Sequence, residues 1–464
     1  MTFLLLLSAC GTRFVADGVE VVVRSPPDRV HEARLEVALA DPLVPELSCS
    51  AQDDDHERHR LRGTASTPQT LVLTGLLADT TYDCSLTTDA ARLDLALTTG
   101  PLSPLMPEWT VTGSADDHDG AWTLFNHGTA GHHATDEKLV VVDAQGRVRW
   151  SYTLPVDPGA DIDVSVVDGD VLYGGTGLGG RPTRLTLDHE RVWRAPVQTD
   201  REHYHHHVQD IPGVGIMTLE RADDTTLGGS GEGFAVVVRD PVDNAVVWQW
   251  SSAEAIANGD LTPGVGPEDP YHANWLDWRD EVDGPALYVG LKTLDRILRV
   301  DRDTGRVTDR IGGNTDWVLA DGDGLGPADW FHGQHAPEFN LDRLLVYDNG
   351  TGRSSGGGSR VIEYQLDPAS QTATPLWSWT ETDFDESVWG DADRTPSGDH
   401  VLVAKAHCYN CPGSPPAARS ALVELDPGSG DEVWRLELEG ESDAIYRAER
   451  LAGCDLFDHL GACP

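Results

Sequence analysis

Three segments of the chain carry a histidine just ahead of a predicted β-strand. They are Tyr204–Gln209, Tyr271–Trp275 and Gln334–Glu338, at intervals of roughly 65 residues that suggest a repeat. If each segment opens one unit of the repeat, the fold brings the three imidazoles to equivalent places around a common axis. A neutral imidazole can act as a nucleophile, and its neighbours as acid or base. The spacing therefore predicts an active site built from histidines.

The repeat units, including those that carry these histidines, end in a recurring sequence pattern. Strand-like runs finish in a Val/Trp pattern, and most follow Val-Asp or Leu-Asp and a short polar turn, which is typical of a hairpin between two outer strands. Six such units fit between about residues 110 and 453, and no stretch shows sustained helical periodicity. The sequence therefore predicts an all-β fold, a six-bladed β-propeller preceded by a small β-sandwich domain. The pattern occurs at Gly146–Trp150, Arg191–Trp193, Ala245–Trp248, Gly305–Thr308, Pro375–Trp377 and Asp431–Trp434.

Composition limits the classes of function. The 464 residues are 39% hydrophobic, which is enough to bury the cores of two domains. The net charge of −43 repels phosphate backbones, so nucleic acid is not an expected partner. Such acidity is typical of a protein that must stay soluble or that works in a salty or extracellular setting. The oligomeric state does not follow from the sequence.

The N-terminus indicates a compartment. Phe3–Leu7 is apolar and runs into Leu7–Cys10, which resembles the lipobox of bacterial lipoproteins, whose cysteine receives lipid. The apolar run is short and no Lys or Arg precedes it, unlike a complete signal peptide, so either the start lies upstream or the match is due to chance. We expect residues 1–16 to be a lipoprotein signal and tether, with Cys10 lipidated. This predicts a lipid-anchored protein of the bacterial cell envelope, periplasmic or at the cell surface.

The six remaining cysteines agree with an oxidising compartment. Pairing by position is best supported within the small N-terminal domain, and sequence alone leaves other connectivities open. Cys408–Cys411 also has the spacing of half a zinc site or of a redox motif. The sequence lacks a second such pair and a βαβ context, which favours a structural disulfide in a loop. The predicted disulfides are Cys49 with Cys84, Cys408 with Cys411, and Cys454 with Cys463.

Residues 17–102 have the pattern of a separate β-sandwich, and residues 110–464 that of the propeller. Leu76–Tyr82 resembles the tyrosine corner of fibronectin type III domains, although Ala78 stands where proline is usual. Nothing in this segment suggests catalysis, so we expect it to space or dock the propeller. Strand-like runs occur at Val19–Val23, Leu71–Leu73 and Leu93–Leu97.

Four segments of the predicted propeller match the pattern of one family. They are His206–Pro212, Tyr271–Asn274, Gln334–Ala336 with Tyr347–Gly350, and Arg310–Gly313, which closes the fourth blade. These segments resemble the signatures of the bacterial aryl sulfotransferases, and the resemblance covers about residues 110–453. Those enzymes pass a sulfuryl group from one phenolic ester to another phenol without PAPS. The resemblance implies a small aromatic sulfate ester and a phenol as partners, and no cofactor.

By this resemblance, His335 is the nucleophile. A neutral ring nitrogen can attack sulfur in line and leave a transient sulfohistidine, which divides one difficult transfer into two. The sulfuryl oxygens gain negative charge as the ester bond loosens, so oriented donors must surround them. His272 and Asn274 are suited to supply these donors, because their i, i+2 spacing puts them on one face of a strand. His206 adds a third donor or protonates the departing phenolate.

One position departs from the family. Where the family has an arginine in the strand after the His-x-Asn motif, this chain has Lys292. Lysine keeps the positive charge but lacks the planar fork that can hold two oxygens at once. We therefore expect weak turnover of the usual substrates or a changed acceptor preference.

Two patterns suggest a metal ion, and neither is complete. Three histidines alternate onto one strand face, but the nearest acids, Glu202 and Asp210, fall on the other face together with His206. Asp321–Gly324 hints at calcium but lacks the full loop pattern and is more typical of a turn. We therefore predict no metal site. The three alternating histidines are His203, His205 and His207.

Aromatic side chains near the predicted funnel are candidates for stacking on an aromatic substrate. Each is equally suited to the propeller core. They are Trp275, Trp330, Phe331 and Trp389.

Two other classes of function stay open at this point. A quinoprotein-like dehydrogenase shares blades that end in tryptophan, but its tryptophan repeat is more regular and it carries a cofactor. A surface-anchored propeller that only binds partners is the stronger alternative, because Lys292 departs from the family and a lipid anchor is predicted.

Overall fold

The structure is a computed structural model, and it consists almost entirely of β-strands. Helices within the part of the chain that it describes are limited to Ser252–Ala257 and the 3₁₀ turn Lys292–Leu294. No helix among these residues is long and apolar enough to span a membrane. The predicted all-β class is confirmed. The described residues are 7–8, 11–16, 18–26, 29–54, 56–115, 118–129, 137–155, 162–176, 180–198, 203–223, 232–263, 269–282, 284–320, 330–353, 358–382, 384–407, 419–453 and 455–457.

Two sheets near the N-terminus enclose one hydrophobic core. Alternate residues of Ala33–Leu39 are buried, as expected when one face of a strand packs inside. Gly11–Ala16 pairs with Val19–Arg24, so the first of these sheets includes residues that the sequence analysis assigned to the tether. One sheet contains Leu7–Ser8, Gly11–Ala16, Val19–Arg24, Ala33–Leu39 and Gln69–Leu73, and the other contains Arg58–Arg62, Glu46–Ala51, Thr81–Thr87 and Arg92–Thr98.

A disulfide and a tyrosine hydrogen bond fix the second of these sheets. Cys49 and Cys84 lie opposite each other on neighbouring strands and are bonded, which confirms this predicted pair. Tyr82 is buried, and its hydroxyl accepts a hydrogen bond from the backbone N–H of Leu77 at 2.8 Å. That bond is the one expected of a tyrosine corner. Cys10 and the cysteines of the other two predicted pairs lie outside the described residues.

From residue 109 onward, the described strands form the sheets of a β-propeller. The second strand of the first sheet, Lys138–Asp143, is buried along its whole length, because neighbouring sheets pack against both of its faces. The first sheet contains Trp122–Thr129, Lys138–Asp143 and Val148–Thr153; the second contains Asp163–Val167, Asp170–Gly174, Thr183–Leu185 and Arg191–Arg194; the third contains Tyr204–Ile211, Gly215–Asp223, Glu232–Arg239 and Val246–Ser251. The fourth contains Ala273–Glu281, Gly284–Leu291, Arg296–Asp301 and Val307–Gly312; the fifth contains His335–Asn340, Arg343–Asp348, Arg360–Asp367, Thr372–Trp379 and Val318–Leu319; the sixth contains Asp391–Arg394, Val401–Lys405, Ala421–Asp426 and Asp431–Leu438.

Segments from the two ends of the propeller close the ring. Trp109–Gly113 pairs with Asp431–Leu438 and becomes the outermost strand of the sixth sheet. Asp443–Ala444 and Ala448–Leu451 pair with Trp122–Thr129 and form the innermost strand of the first sheet. The first and sixth sheets are therefore each completed by a segment that is distant in sequence.

Tryptophans of three outer strands connect their sheets to the next one around the ring. Trp150 and Trp434 belong to the Val/Trp pattern, and Trp250 lies two residues beyond it. Their indole N–H groups donate to backbone carbonyls in the turn of the following sheet, so one side chain satisfies a turn and fills the space between sheets. The bonds run from Trp150 to Leu187 at 2.8 Å, from Trp250 to Gly305 at 2.9 Å, and from Trp434 to Ala144 at 2.8 Å.

A buried arginine fastens the N-terminal sandwich to the first propeller sheet. Arg149 pairs with Glu57 of the sandwich at 2.6 Å and with Asp143 of its own sheet at 2.8 Å. It also donates to the backbone carbonyl of Gly75 at 3.2 Å. Because a buried cation is tolerated only when it is paired and hydrogen-bonded, this cluster holds the two units in one arrangement.

Candidate active site

The three predicted histidines converge near the propeller axis. His206 lies on the innermost strand of the third sheet, His272 immediately precedes that of the fourth, and His335 begins that of the fifth. The ring centroids of His206 and His272 are 4.9 Å apart. The ring of Tyr446 contacts two of these imidazoles. Its centroid lies 6.3 Å from that of His206 and 6.2 Å from that of His335. The imidazoles therefore form one cluster.

Each of the three strands is irregular at its histidine. The backbone φ is positive at His206 (58°), His272 (45°) and Ala336 (40°), and each strand shifts register at the same place. Such bulges change the direction of the neighbouring side chains. His206 and His272 thus occupy equivalent positions, whereas His335 lies one residue earlier in its own strand. The expected i, i+2 alternation of His272 and Asn274 does not apply, because the register shift falls at Asn274.

Hydrogen bonds hold His335 in one tautomer. Its Nδ1 lies 2.7 Å from Oδ1 of Asn349. The amide nitrogen of Asn349 donates to the backbone carbonyls of Glu386 and Trp389, both at 2.8 Å, so the amide is fixed with its oxygen toward the imidazole. Nδ1 of His335 therefore carries the proton and Nε2 carries the lone pair. Nε2 has no hydrogen-bond partner among the described residues.

The environment keeps the imidazoles neutral. Burial lowers the pKa of His335 well below its usual value, and the cations Lys292 and Arg447 lower it further, against the opposing effect of the Asn349 hydrogen bond. Burial also lowers the pKa of His206, with His205 and the same two cations acting in the same direction. A neutral imidazole keeps the lone pair that a nucleophile needs.

Lys292 supplies positive charge to the cluster. It begins the 3₁₀ turn directly after the second strand of the fourth sheet, and its backbone N–H donates to the carbonyl of His272 at 3.0 Å. The field of its ammonium group acts on both His206 and His335. The local charge is thus positive in a chain with a net charge of −43, which favours an anionic group at this place.

Asn274 supports the strand that carries His335. It is fully buried, and its Nδ2 donates to the backbone carbonyl of Gln334 at 2.7 Å. Gln334 immediately precedes His335 in the chain. One of the two N–H donors of Asn274 is therefore used to hold this backbone, a use that the sequence analysis did not foresee.

The cluster is mostly closed to solvent. His335 has no exposed surface, whereas the side chain of His272 is 28% exposed. Nε2 of His335 is itself buried. A substrate can therefore reach this nitrogen only when a neighbouring side chain moves.

Two residues of the cluster were missed by sequence reasoning. Tyr446 and Arg447 lie between Asp443–Ala444 and Ala448–Leu451, the two segments that form the innermost strand of the first sheet, and both of their backbone N–H groups donate to Oδ1 of Asn126 at 2.9 Å. That bond fixes the irregular backbone between the last two strands. Their position in the sequence could have identified them. In a closed ring of sheets, the strand that follows the last outer strand has to be an innermost strand of the first sheet.

The four predicted aromatic residues do not act as one group. Trp389 is buried against Tyr446 beside the histidines. Trp275 lines a cavity along the axis, and its ring contacts Phe339. The remaining two, Trp330 and Phe331, pack in the hydrophobic core that the fourth and fifth sheets share.

The histidines of the third sheet do not converge on a metal site. Across the described ranges, no group of three or more His, Cys, Asp or Glu side chains is arranged to hold a metal ion. The segment at 321–324 lies outside those ranges. The separate partners are Glu220 for His203 at 2.7 Å, His206 for His205 at 2.8 Å, and Asp163 for His207 at 3.2 Å.

The fold and the cluster together define a propeller enzyme with neutral histidines and cations at one end of its axis. The sequence model of the arylsulfotransferase family (ASST) matches residues 111–447. The chain therefore belongs to the arylsulfotransferase family, and it is an enzyme of the PAPS-independent aryl sulfotransferase class. The alternatives of a dehydrogenase and of a non-catalytic binding propeller are not supported.

Other comparisons add little. No curated protein matches the chain. The chain is similar to the periplasmic gluconolactonase of Pseudomonas aeruginosa, at 14% identity over 88% of this chain and 99% of that chain, with a TM-score of 0.38. It is also similar to TolB from Acinetobacter baumannii, at 14% identity over 80% and 79% of the two chains, with a TM-score of 0.39. Scores this low support no conclusion about function.

Buried carboxyl groups line the axis. A cavity of about 480 Å³ is lined by residues of the innermost strands of all six sheets. Burial raises the pKa of Asp163 and Asp277 to about 6 and that of Glu449 to about 8. At pH values between the ordinary pKa of each carboxyl group and its raised pKa, the folded protein therefore keeps a proton that the unfolded chain would release. The acidic residues of this lining are Asp163, Asp277, Glu338, Asp391, Asp393 and Glu449.

Glu449→Gln is expected to reduce the pH dependence of stability. The pKa of Glu449 is raised in the folded state, so its contribution to the free energy of unfolding is present at low pH and is lost as the pH rises through about 8. Between about pH 4.5 and 8, this group costs the wild type up to about 1.4 kcal/mol per pH unit. Urea unfolding at several pH values measures the effect. The exposed Glu441→Gln serves as the control, and equal pH dependence in all three proteins would contradict the prediction.

Proposed function

We propose that this enzyme transfers a sulfuryl group from an aryl sulfate ester to a phenolic acceptor through a sulfohistidine at Nε2 of His335. The observation that carries the proposal is the fixed tautomer of a buried, neutral imidazole whose Nε2 has no hydrogen-bond partner in the described part of the chain. Membership of the arylsulfotransferase family supports the classes of donor and acceptor.

In the first step, Nε2 of His335 forms a bond to sulfur and the bond between sulfur and the phenolic oxygen breaks. The electron pair of that bond leaves with the phenolate. The ring becomes cationic and keeps its proton on Nδ1, where the oxygen of Asn349 accepts a stronger, charge-assisted hydrogen bond. Lys292 offsets the negative charge that spreads over the sulfuryl oxygens.

In the second step, the oxygen of the acceptor phenol attacks sulfur, the bond between nitrogen and sulfur breaks, and His335 returns to its neutral form. The phenol loses its proton, and the partly exposed His272 is suited to accept it. His206 fits the role of hydrogen-bond donor better than that of acid, because its lowered pKa leaves it neutral at physiological pH.

His335→Ala is expected to abolish transfer. With 4-nitrophenyl sulfate as donor, the wild type should release nitrophenol only when phenol is added, and the variant should release none above background. Mass spectrometry of the donor-treated wild type should find one sulfuryl group on His335. His332→Ala is the matched control, since His332 pairs with Asp295 and is no part of the cluster. Turnover by the wild type with the adduct on another residue would refute the assigned nucleophile.

Lys292→Arg is expected to raise kcat/KM for 4-nitrophenyl sulfate by about tenfold, because a planar fork can donate to two sulfuryl oxygens where an ammonium group donates from one point. Lys292→Met should lower the same constant, because the positive charge is lost. Initial rates with phenol as acceptor measure both effects. A lower kcat/KM for Lys292→Arg than for the wild type would contradict this prediction and show that the site requires lysine.

We propose as well that the enzyme is anchored in the bacterial envelope through lipid on Cys10. The lipobox-like Leu7–Cys10 supports this, as does the disulfide between Cys49 and Cys84, which is typical of an oxidising compartment. Labelled palmitate fed to a bacterial host should mark the wild type in the membrane fraction. Cys10→Ser should appear unlabelled in the soluble fraction, and equal labelling of both proteins would count against the anchor.

A further inference from the structure

Arg447 connects three propeller sheets at the axis. It immediately precedes Ala448–Leu451 of the innermost strand of the first sheet and is only 3% exposed. Its Nη1 donates to Asp391 of the sixth sheet at 2.8 Å, and its Nη2 donates to the backbone carbonyl of Asn274 of the fourth sheet at 3.3 Å. The second oxygen of Asp391 accepts from the backbone N–H of Ala448 at 3.0 Å. A guanidinium group suits this place, because its rigid fork presents donors in several directions.

Asn274 links Arg447 to His335. Arg447 holds the backbone of Asn274, and the side chain of Asn274 holds the carbonyl of Gln334, the residue before His335. A continuous path of hydrogen bonds thus runs from the guanidinium group to the backbone that carries the imidazole. Small displacements of a reacting group lower rates strongly, so a residue that fixes this path affects catalysis without touching the substrate.

The charge of Arg447 acts on His335 as well. Lys292, Arg447 and His206 each make protonation of this imidazole less favourable, and the titratable ring of Tyr446 faces it at 6.2 Å. The hydrogen bond that Nδ1 donates to the oxygen of Asn349 acts in the opposite direction. Removal of Arg447 therefore makes His335 easier to protonate, and a protonated ring has no lone pair for attack.

We propose that Arg447 is a positioning residue of sulfuryl transfer, which sets both the location and the neutral state of His335. The proposal rests on the proposed role of His335 as nucleophile. Arg447 reaches the reaction through Asn274 and through its charge, because its Nη donors are directed at Asp391, at the carbonyl of Asn274 and, at 3.5 Å, at the hydroxyl of Tyr446. The final strand of the propeller thus takes part in the chemistry besides closing the ring.

Two variants separate the charge of Arg447 from its geometry. Arg447→Met removes both, so the NMR titration midpoint of His335, followed in protein with ¹⁵N-labelled histidine, should shift upward. The acid limb of the kcat/KM profile should shift with it, and kcat/KM at neutral pH should fall by about 100-fold. Arg447→Lys keeps the charge, so the midpoint should stay near the wild-type value while kcat/KM recovers only in part.

Arg450→Met is the matched control. Arg450 lies three residues further along the chain, its side chain has no exposed surface, and it pairs with Glu424 at 2.6 Å. Its loss should lower the melting temperature and leave the titration midpoint of His335 unchanged. The proposal would be overturned if Arg447→Met folds and keeps both the wild-type titration midpoint of His335 and the wild-type acid limb of the kcat/KM profile. If Arg447→Met does not fold, wild-type kcat/KM in Arg447→Lys would overturn it and a reduced value would support it.

The two proposals fail in different ways. A wild type without acceptor-dependent turnover would refute the proposed transfer reaction. An upward shift of the His335 titration midpoint in Arg447→Met would still show that Arg447 controls the protonation of His335, because the NMR titration needs no turnover.

Discussion

The structure depends on one pairing, in which the last strands of the chain insert as the innermost strand of the first propeller sheet. Without Asp443–Leu451, Trp122–Thr129 would have an open edge at the axis, and the ring would lack one of its inner walls. Asn126 secures the insertion through the backbone N–H groups of Tyr446 and Arg447. The same pairing that closes the fold therefore completes the histidine cluster, so stability and function share a single constraint.

Local charge and overall charge oppose each other in this enzyme. The net charge of −43 disfavours an anionic ester, yet the cations Lys292 and Arg447 lie close enough to the histidine cluster for their fields to act on His335. Their effect is strengthened by burial, because positive charges act over short distances in a poorly solvated site. The same two cations and the same burial keep His335 unprotonated. The same arrangement therefore favours a neutral imidazole and, near it, an anionic group.

Much of the fold and part of the site were predictable from the sequence. The Val/Trp pattern is visible because each tryptophan reaches the next sheet, and the histidine segments recur because each opens an innermost strand. The bulges at His206 and His272 were not predictable, since strand alternation assumes a regular ladder. Arg447 carries no sequence signal of its own, because its partners come from other sheets. Aromatic residues beside the histidines and aromatic residues of the core look alike in sequence, so Trp389 could not be told apart from Phe331.

The location of Tyr446 and Arg447 has a consequence for biosynthesis. A polypeptide emerging from the ribosome displays its histidines long before the segment that organises them has been made. The nascent chain should consequently be inert, and catalytic competence should appear only after residues 443–451 have been made and have paired with the first sheet.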